Sequence, residues 1–254
     1  MKISANIITF NEEKNIEKCI KSIQAVADEI IIVDSYSTDK TEEIANSFNK
    51  TRWIQHKFEG YGQQKNIALR QSQFDYILSI DADETLSLEL QEEIIHLKES
   101  SIEKSKAFYI PRLNNYCGKW IKHGGWYPDR KIRLWNKNFG QWTPDLHEKV
   151  ILKNGVEPAK LKGDILHYTT DSISTHIDQV NKFSEIAAAQ LLKSKKKQNA
   201  IFKMLFDPPF MFIKKYFFQL GFLDGFYGFA IAIISAHAKF LKYAKYYQKS
   251  KFKQ

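Results

Sequence analysis

The chain has little cysteine. Cys19 and Cys117 are the only two in 254 residues. They can form no disulfide framework and lack metal-like spacing, so a reducing cytosol is the expected compartment. No glycine-rich phosphate loop follows the first strand-like run, where Asn11-Glu12-Glu13-Lys14-Asn15 stands instead. This argues against a nucleotidyltransferase, a class that also uses a carboxylate pair at a sheet end. No apolar run reaches bilayer length. The cleanest, 225–236, has 12 residues, against the roughly 20 that a spanning helix needs, so no transmembrane anchor is expected. Met1-Lys2-Ile3-Ser4-Ala5-Asn6 passes straight into a strand-like run without the pattern of a signal peptide. No internal repeat is present.

Acid is scarce at one end. From Lys193 onward there are 13 lysines, no arginine and only Asp207 and Asp224 as acids, a net +11, whereas residues 1–192 sum to −2. The same segment holds 11 of the 18 phenylalanines. The overall +9 therefore averages a mildly acidic body and a basic, aromatic tail. That distribution points to a globular body with a membrane-facing tail and away from nucleic-acid binding. A hydrophobic fraction of 43% allows a real core, and the length suits one large α/β domain, 1–192, with an appendage, 193–254.

Strands are predicted at 3–10, 29–34, 52–56 and 76–80, and helices at 15–25, 40–49, 62–71 and 88–97. Ser37-Thr38-Asp39 supplies a cap for the second helix. Strand and helix alternate, which predicts a mostly parallel sheet with helices on both faces. Ligands of such sheets bind at the carboxyl ends of the strands, where Asn11, Asp34, Asp81 and Asp83 fall. Ile77-Leu78-Ser79-Ile80-Asp81-Ala82-Asp83-Glu84 is the most informative of these ends. An apolar strand closes on two carboxylates one residue apart, and alternate residues of an extended chain point the same way. Two hard oxygen ligands suit Mg²⁺ or Mn²⁺ beside a diphosphate. Taken alone, Asp-x-Asp is also a common surface turn.

From 107 to 156 the texture changes. Aromatics, glycines and charges mix, which predicts short strands and long loops of the kind that carry a site. A helix is predicted at 172–193. In the tail, Lys239, Lys242, Lys245 and Lys249 recur at three- or four-residue steps among Phe240, Leu241, Tyr243 and Tyr246. This is the pattern of a basic amphipathic helix in the headgroup layer, each lysine contributing about 1 kcal/mol near an anionic surface. The other reading is a helix packed on the body with solvated lysines.

Four pieces occur in one order: Thr9-Phe10-Asn11-Glu12-Glu13, Val33-Asp34-Ser35-Tyr36-Ser37-Thr38-Asp39, Lys65-Asn66 and Asp81-Ala82-Asp83-Glu84. With them the sequence resembles the inverting glycosyltransferases of family 2, which have the GT-A fold. The later Trp126-Tyr127-Pro128-Asp129-Arg130-Lys131-Ile132-Arg133-Leu134-Trp135, Leu146-His147-Glu148 and Leu166-His167-Tyr168 resemble its bacterial lipopolysaccharide-core branch. The resemblance implies a hexosyltransferase that moves a hexose, glucose foremost, from a UDP-sugar to a lipopolysaccharide-core acceptor. It also implies a Mg²⁺ or Mn²⁺ cofactor and a place on the cytoplasmic face of the bacterial inner membrane, whose anionic surface the tail would meet, with no nucleic-acid partner. A polyprenol-linked or capsular acceptor, or a non-catalytic nucleotide-sugar-binding membrane protein, remain as alternatives.

The resemblance assigns roles position by position. Thr9, Asn11 and Glu12 border the nucleotide. Asp34 reads the uracil or ribose, and Lys65 lies near the diphosphate, unless it is a solvated helix lysine. Asp83 holds the metal, Asp81 supports the ribose or the metal, and His167 completes the site or packs in the core. Arg130 and Arg133 grip the diphosphate or an acidic acceptor, or pair with carboxylates. The catalytic base is Glu148, with Asp129 as its rival, after a loop at His123-Gly124-Gly125-Trp126. Trp126 and Trp142 stack on sugar faces or pack as buried aromatics.

Overall fold

The computed structural model describes residues 1–100, 105–143, 148–194 and 199–251. Strands β1 (Ile3–Thr9), β2 (Glu29–Asp34), β3 (Thr51–Gln55) and β4 (Tyr76–Asp81) alternate with helices α1 (Ile16–Ile23), α2 (Thr41–Asn46) and α3 (Tyr61–Gln71). Then follow β5 (Glu84–Leu86), α4 (Leu88–Glu99), β6 (Ala107–Tyr116), β7 (Lys119–Ile121), β8 (Asp129–Asn136), β9 (Gly140–Trp142), β10 (Val150–Leu152), β11 (Ala159–Lys160) and β12 (Ile165–Thr170). Three helices close the chain: α5 (Ile173–Lys193), α6 (Ala200–Ile213) and α7 (Gly225–Lys251). Contacts divide it into two compact units. One is Met1–Arg112 with Asp129–His167, and the other is Leu113–Pro128 with the chain from Tyr168 onward.

Period-two burial builds the first unit. Ile3, Ala5 and Ile7 of β1, Ile30 and Ile32 of β2, and Leu78 and Ile80 of β4 share one apolar layer with Ile16, Cys19, Ile20 and Ile23 of α1 and Leu90 and Ile94 of α4. Ile31 and Val33 of β2 face the other way, onto Ala68 of α3. The four apolar residues of α1 fall at i, i+3, i+4 and i+7, the stripe that faces a core. β3-β2-β1-β4 are parallel, with helices on both faces as predicted.

The segment predicted as short strands and long loops instead supplies two long strands. β8 pairs antiparallel with both β4 and β6, so the parallel half of the sheet continues into a mixed half. Pro111, Arg112, Asn114 and Asn115 break the apolar alternation of β6. A bulge at Phe108/Tyr109 shifts its register as well, so the pattern did not reveal the strand.

In the second unit Tyr116, Ile121 and Ile231 pack with Trp126 and Tyr227. Helices α6 and α7 form a hairpin through a π-helical turn, Lys214–Phe218, and a 3₁₀ turn, Gly221–Asp224. Gly228 lies so close to this turn that a Cβ would collide with the Gly221 carbonyl oxygen. Gly228→Ala is therefore expected to part the hairpin and cost roughly 1–3 kcal/mol, as overpacking does; thermal melts would measure it. Residues Gly221–Lys251 are long and apolar enough, by length and composition, to cross a membrane. The clean run 225–236 is shorter because Asp224 and His237 bound it, whereas the apolar stretch resumes beyond Asp224 at Phe222 and Leu223.

Candidate active site

Three loops meet at the carboxyl ends of the parallel strands. The chain turns at Ala82–Asp83 between β4 and β5, so Asp81 and Asp83 do not continue one extended strand, and the expectation that both face one way from alternation does not hold. Their partners differ. Asp81 Oδ1 lies 3.0 Å from Lys65 Nζ, and Oδ2 accepts from Arg133 Nη2 at 3.0 Å. Burial alone would raise the Asp81 carboxyl. The charges of Lys65 and Arg133 outweigh it and hold the group well below the ordinary carboxylate range. Arg133 is pushed above its ordinary value: burial opposes the charge, and Glu84 and Asp81 more than compensate.

Glu84 is the residue that the sequence reading left without a role. It is fully buried. Its Oε2 accepts the Asp81 backbone N–H at 2.9 Å, and Oε1 takes Arg133 at 3.2 Å and Arg112 at 3.3 Å. Arg112 continues to Asp129 Oδ2 at 2.7 Å. Lys65, buried on α3, bridges Asp81 to Glu148 Oε1 at 3.0 Å. Trp142 covers both inner cations, its ring centroid 4.7 Å from Lys65 Nζ and 5.9 Å from Arg133 Cζ. It is buried edge-on against Trp135 and so has no open face for a sugar. The result is an alternating chain of charges, Glu148–Lys65–Asp81–Arg133–Glu84–Arg112–Asp129. It links both candidate bases to the strand-end motif.

Asp83 stands outside this chain. Its Oδ2 lies 3.2 Å from His167 Nε2, with both side chains partly exposed. A carboxylate oxygen and an imidazole nitrogen at this separation could together hold a divalent ion. The local field agrees. Cys19, buried beneath, has its thiol pushed far up by burial first and then by Glu84, Asp83, Asp81 and Glu12. Asp81, expected among the metal ligands, has both oxygens engaged by cations. Among the described residues no group of three or more His, Cys, Asp or Glu is arranged to hold a metal by itself.

The residues expected at the nucleotide lock two loops together. Asn11, at φ +55°, donates its N–H to Ser37 Oγ and accepts from Thr38 N–H, both at 2.8 Å. Glu12 N–H donates to Thr41 Oγ1. Asp39, expected as a helix cap, accepts from the backbone of both Thr41 and Glu13. Asp34 is fully buried and accepts from the N–H and hydroxyl of Ser37, so its carboxylate points inward. Thr9 is buried, and its hydroxyl has no hydrogen-bond partner among the described residues. Phe10 and Tyr36 are exposed aromatic side chains of this loop pair, at 56% and 54%. Phe10 had read as the end of a strand, which hid its exposure. Arg130 is exposed at the start of β8.

The His123-Gly124-Gly125-Trp126 loop belongs to the second unit. There Asp224 accepts from His123 N–H, and Gly124 exchanges bonds with Gln219 and Lys215. Leu146 and His147 of the Leu146-His147-Glu148 motif lie outside the described residues.

The profile of the family described as glycosyl transferase family 2 matches residues 4–110. An uncharacterized glycosyltransferase of Rickettsia typhi is 36% identical over 96% of this chain and 86% of its own length. The lipopolysaccharide core biosynthesis glycosyltransferase LpsC of Rhizobium meliloti is 32% identical over 99% of this chain and 94% of its own. Among solved structures, S. aureus TarS 1-349 in complex with UDP-GlcNAc aligns with TM-score 0.44 and 16% identity over 100% of this chain and 93% of that one.

Proposed function

The chain belongs to glycosyl transferase family 2 and is a glycosyltransferase, and on that premise we propose that it moves a hexose, glucose in the reading we favour, from a UDP-sugar to the core of a lipopolysaccharide or lipooligosaccharide. The observation that carries this reading is the set of charges at the end of β4, where Asp83 and His167 stand beside a neutralised Asp81. The acceptor class is supported by the match to LpsC along nearly the whole of both chains and by the basic, apolar tail. A glycolipid acceptor would put the enzyme on the cytoplasmic face of the inner membrane.

Asp83 and His167 would hold Mg²⁺ or Mn²⁺. Bound there, the ion neutralises charge that gathers on the departing nucleoside diphosphate. The remaining work falls to the protein. Lys65 and Arg133 fix Asp81, and the locked loops after β1 and β2 border the nucleotide. The acceptor hydroxyl attacks the anomeric carbon as the bond to UDP breaks. UDP leaves with the electron pair, and the hydroxyl proton passes to Glu148, oriented by Lys65. One displacement inverts the sugar carbon.

Glu148 is favoured over Asp129 because a single lysine joins it to Asp81, whereas Asp129 is reached only through Arg112, Glu84 and Arg133. Glu148→Gln is expected to lower kcat by about 10²–10⁴-fold, the usual worth of a general base, with UDP affinity unchanged by calorimetry. Asp129→Asn should change kcat by less than about threefold on the same scale of effect. The opposite pattern would move the role to Asp129.

A further inference from the structure

Helix α6 is inside out. Phe202, Leu205, Phe206 and Phe210, followed by Phe217 and Phe218 in the π turn, are between 55% and 77% exposed. They recur at three- and four-residue steps, so they form one face. The charged residues of α6 point the other way. Lys203 lies 5.3 Å over the ring of buried Tyr243, and the charge of Asp207 acts on the same side chain. A helix packed on a water-soluble body has the reverse arrangement. The apolar face does not stop at the end of α6. Tyr216 meets Phe222 and Phe229, and Phe212 meets Phe229, with centroids 5.6–6.2 Å apart.

Two further observations identify what covers this face. Pro208 and Pro209 lie inside α6 and leave the carbonyls of Met204 and Leu205 without helical donors. Such groups need water or headgroups nearby, which suits a shallow position and not the hydrocarbon centre. The surroundings are also basic, with thirteen lysines in the tail against two acids. The lysines expected to lie on the membrane are only partly free for it. Lys245 bonds Asn181 and Ser184 of α5, and Lys249 pairs with Glu185. The far end of α7 thus braces α5. Lys195, Lys196 and Lys197 lie outside the described residues.

We propose that the outward face of α6 and the turn after it is a monotopic docking surface for the headgroup–acyl boundary of a lipid bilayer, attached chiefly by apolar burial. This rests on the reading of the enzyme as acting on a membrane-borne acceptor, and it assigns the attachment to a different element from the C-terminal lysines. Apolar burial is insensitive to screening, whereas lysine adsorption weakens as the Debye length falls from about 10 Å at 0.1 M salt to about 3 Å at 1 M.

Flotation of the full chain tests this, with vesicles of phosphatidylcholine alone and vesicles containing phosphatidylglycerol, at about 0.1 M and about 1 M NaCl. The expected result is binding to both that survives high salt. Phe206→Glu/Phe210→Glu should reduce the bound fraction at least about tenfold, while turnover on detergent-dispersed acceptor stays within about twofold. Lys239→Glu/Lys242→Glu should change binding by less than about twofold. Binding that needs phosphatidylglycerol and is lost at high salt overturns the apolar attachment but leaves a membrane-borne acceptor standing. A stable dimer that ignores every vesicle assigns the face to a second copy and overturns both.

Discussion

Replacing Arg133 with Met is expected to cost about 3–5 kcal/mol of stability, the typical result of removing one partner from a buried ion pair. Arg133 is 3% exposed, and it compensates both Asp81 and the fully buried Glu84. Without it, Arg112 is the one cation left to Glu84 and Lys65 the one left to Asp81 among the described residues. At about 2–4 °C per kcal/mol for a chain of this size, the melting temperature should fall by roughly 10 °C. The pH dependence follows from the depressed Asp81 carboxyl. A carboxylate with a lowered folded-state pKa stabilises the fold above the unfolded value of about 3.9, and that contribution is lost as the pH falls through the folded value. The gap between wild type and Arg133→Met should therefore be widest near neutral pH and shrink in acid. A melting temperature within about 2 °C of wild type at pH 7 would mean that these carboxylates are solvated and the charge chain is ornamental to stability.

Asp83→Ala should have the largest effect on activity. If the carboxylate holds the metal together with His167, its loss forfeits charge neutralisation worth several kcal/mol. At about 1.36 kcal/mol per factor of ten, donor turnover should drop about 10³-fold. Asp83 is partly exposed and stands outside the buried charge chain, so the melting temperature should be nearly unchanged. The diagnostic measurement is UDP affinity with and without Mn²⁺. Wild type is expected to bind UDP more tightly with the ion, and Asp83→Ala should bind equally in both conditions. His167→Ala should weaken the same difference. Metal-dependent turnover that survives Asp83→Ala would remove the assignment.

The first half of the fold was open to reading because its cause is local. Period-two runs at β1, β2 and β4 and the i, i+3, i+4, i+7 stripe of α1 each carry their own signal. Strand β6 was missed because a proline, polar residues and a bulge erase that signal, and only pairing with β8 restores it. The site divided in the same way. That acids stand at strand ends follows from where strands stop. Which way each carboxylate turns does not, and Asp34 turns inward to Ser37. Glu84 stands in plain view beside Asp83, yet a glutamate normally reads as solvated. Two arginines remote in sequence make its burial tolerable.

The sequence by itself determined the alternating α/β body, the strand-end position of the acidic motif and the segregation of lysine and phenylalanine into the tail. Periodicity and composition need only neighbours along the chain. Tertiary structure alone decided that Lys65 and Arg133 neutralise Asp81, that Asp83 is left to face His167, and that α6 turns its phenylalanines outward. Each of these depends on charges or faces contributed by segments far apart in sequence, and a hydrogen bond or an ion pair acts only over a few ångströms of space.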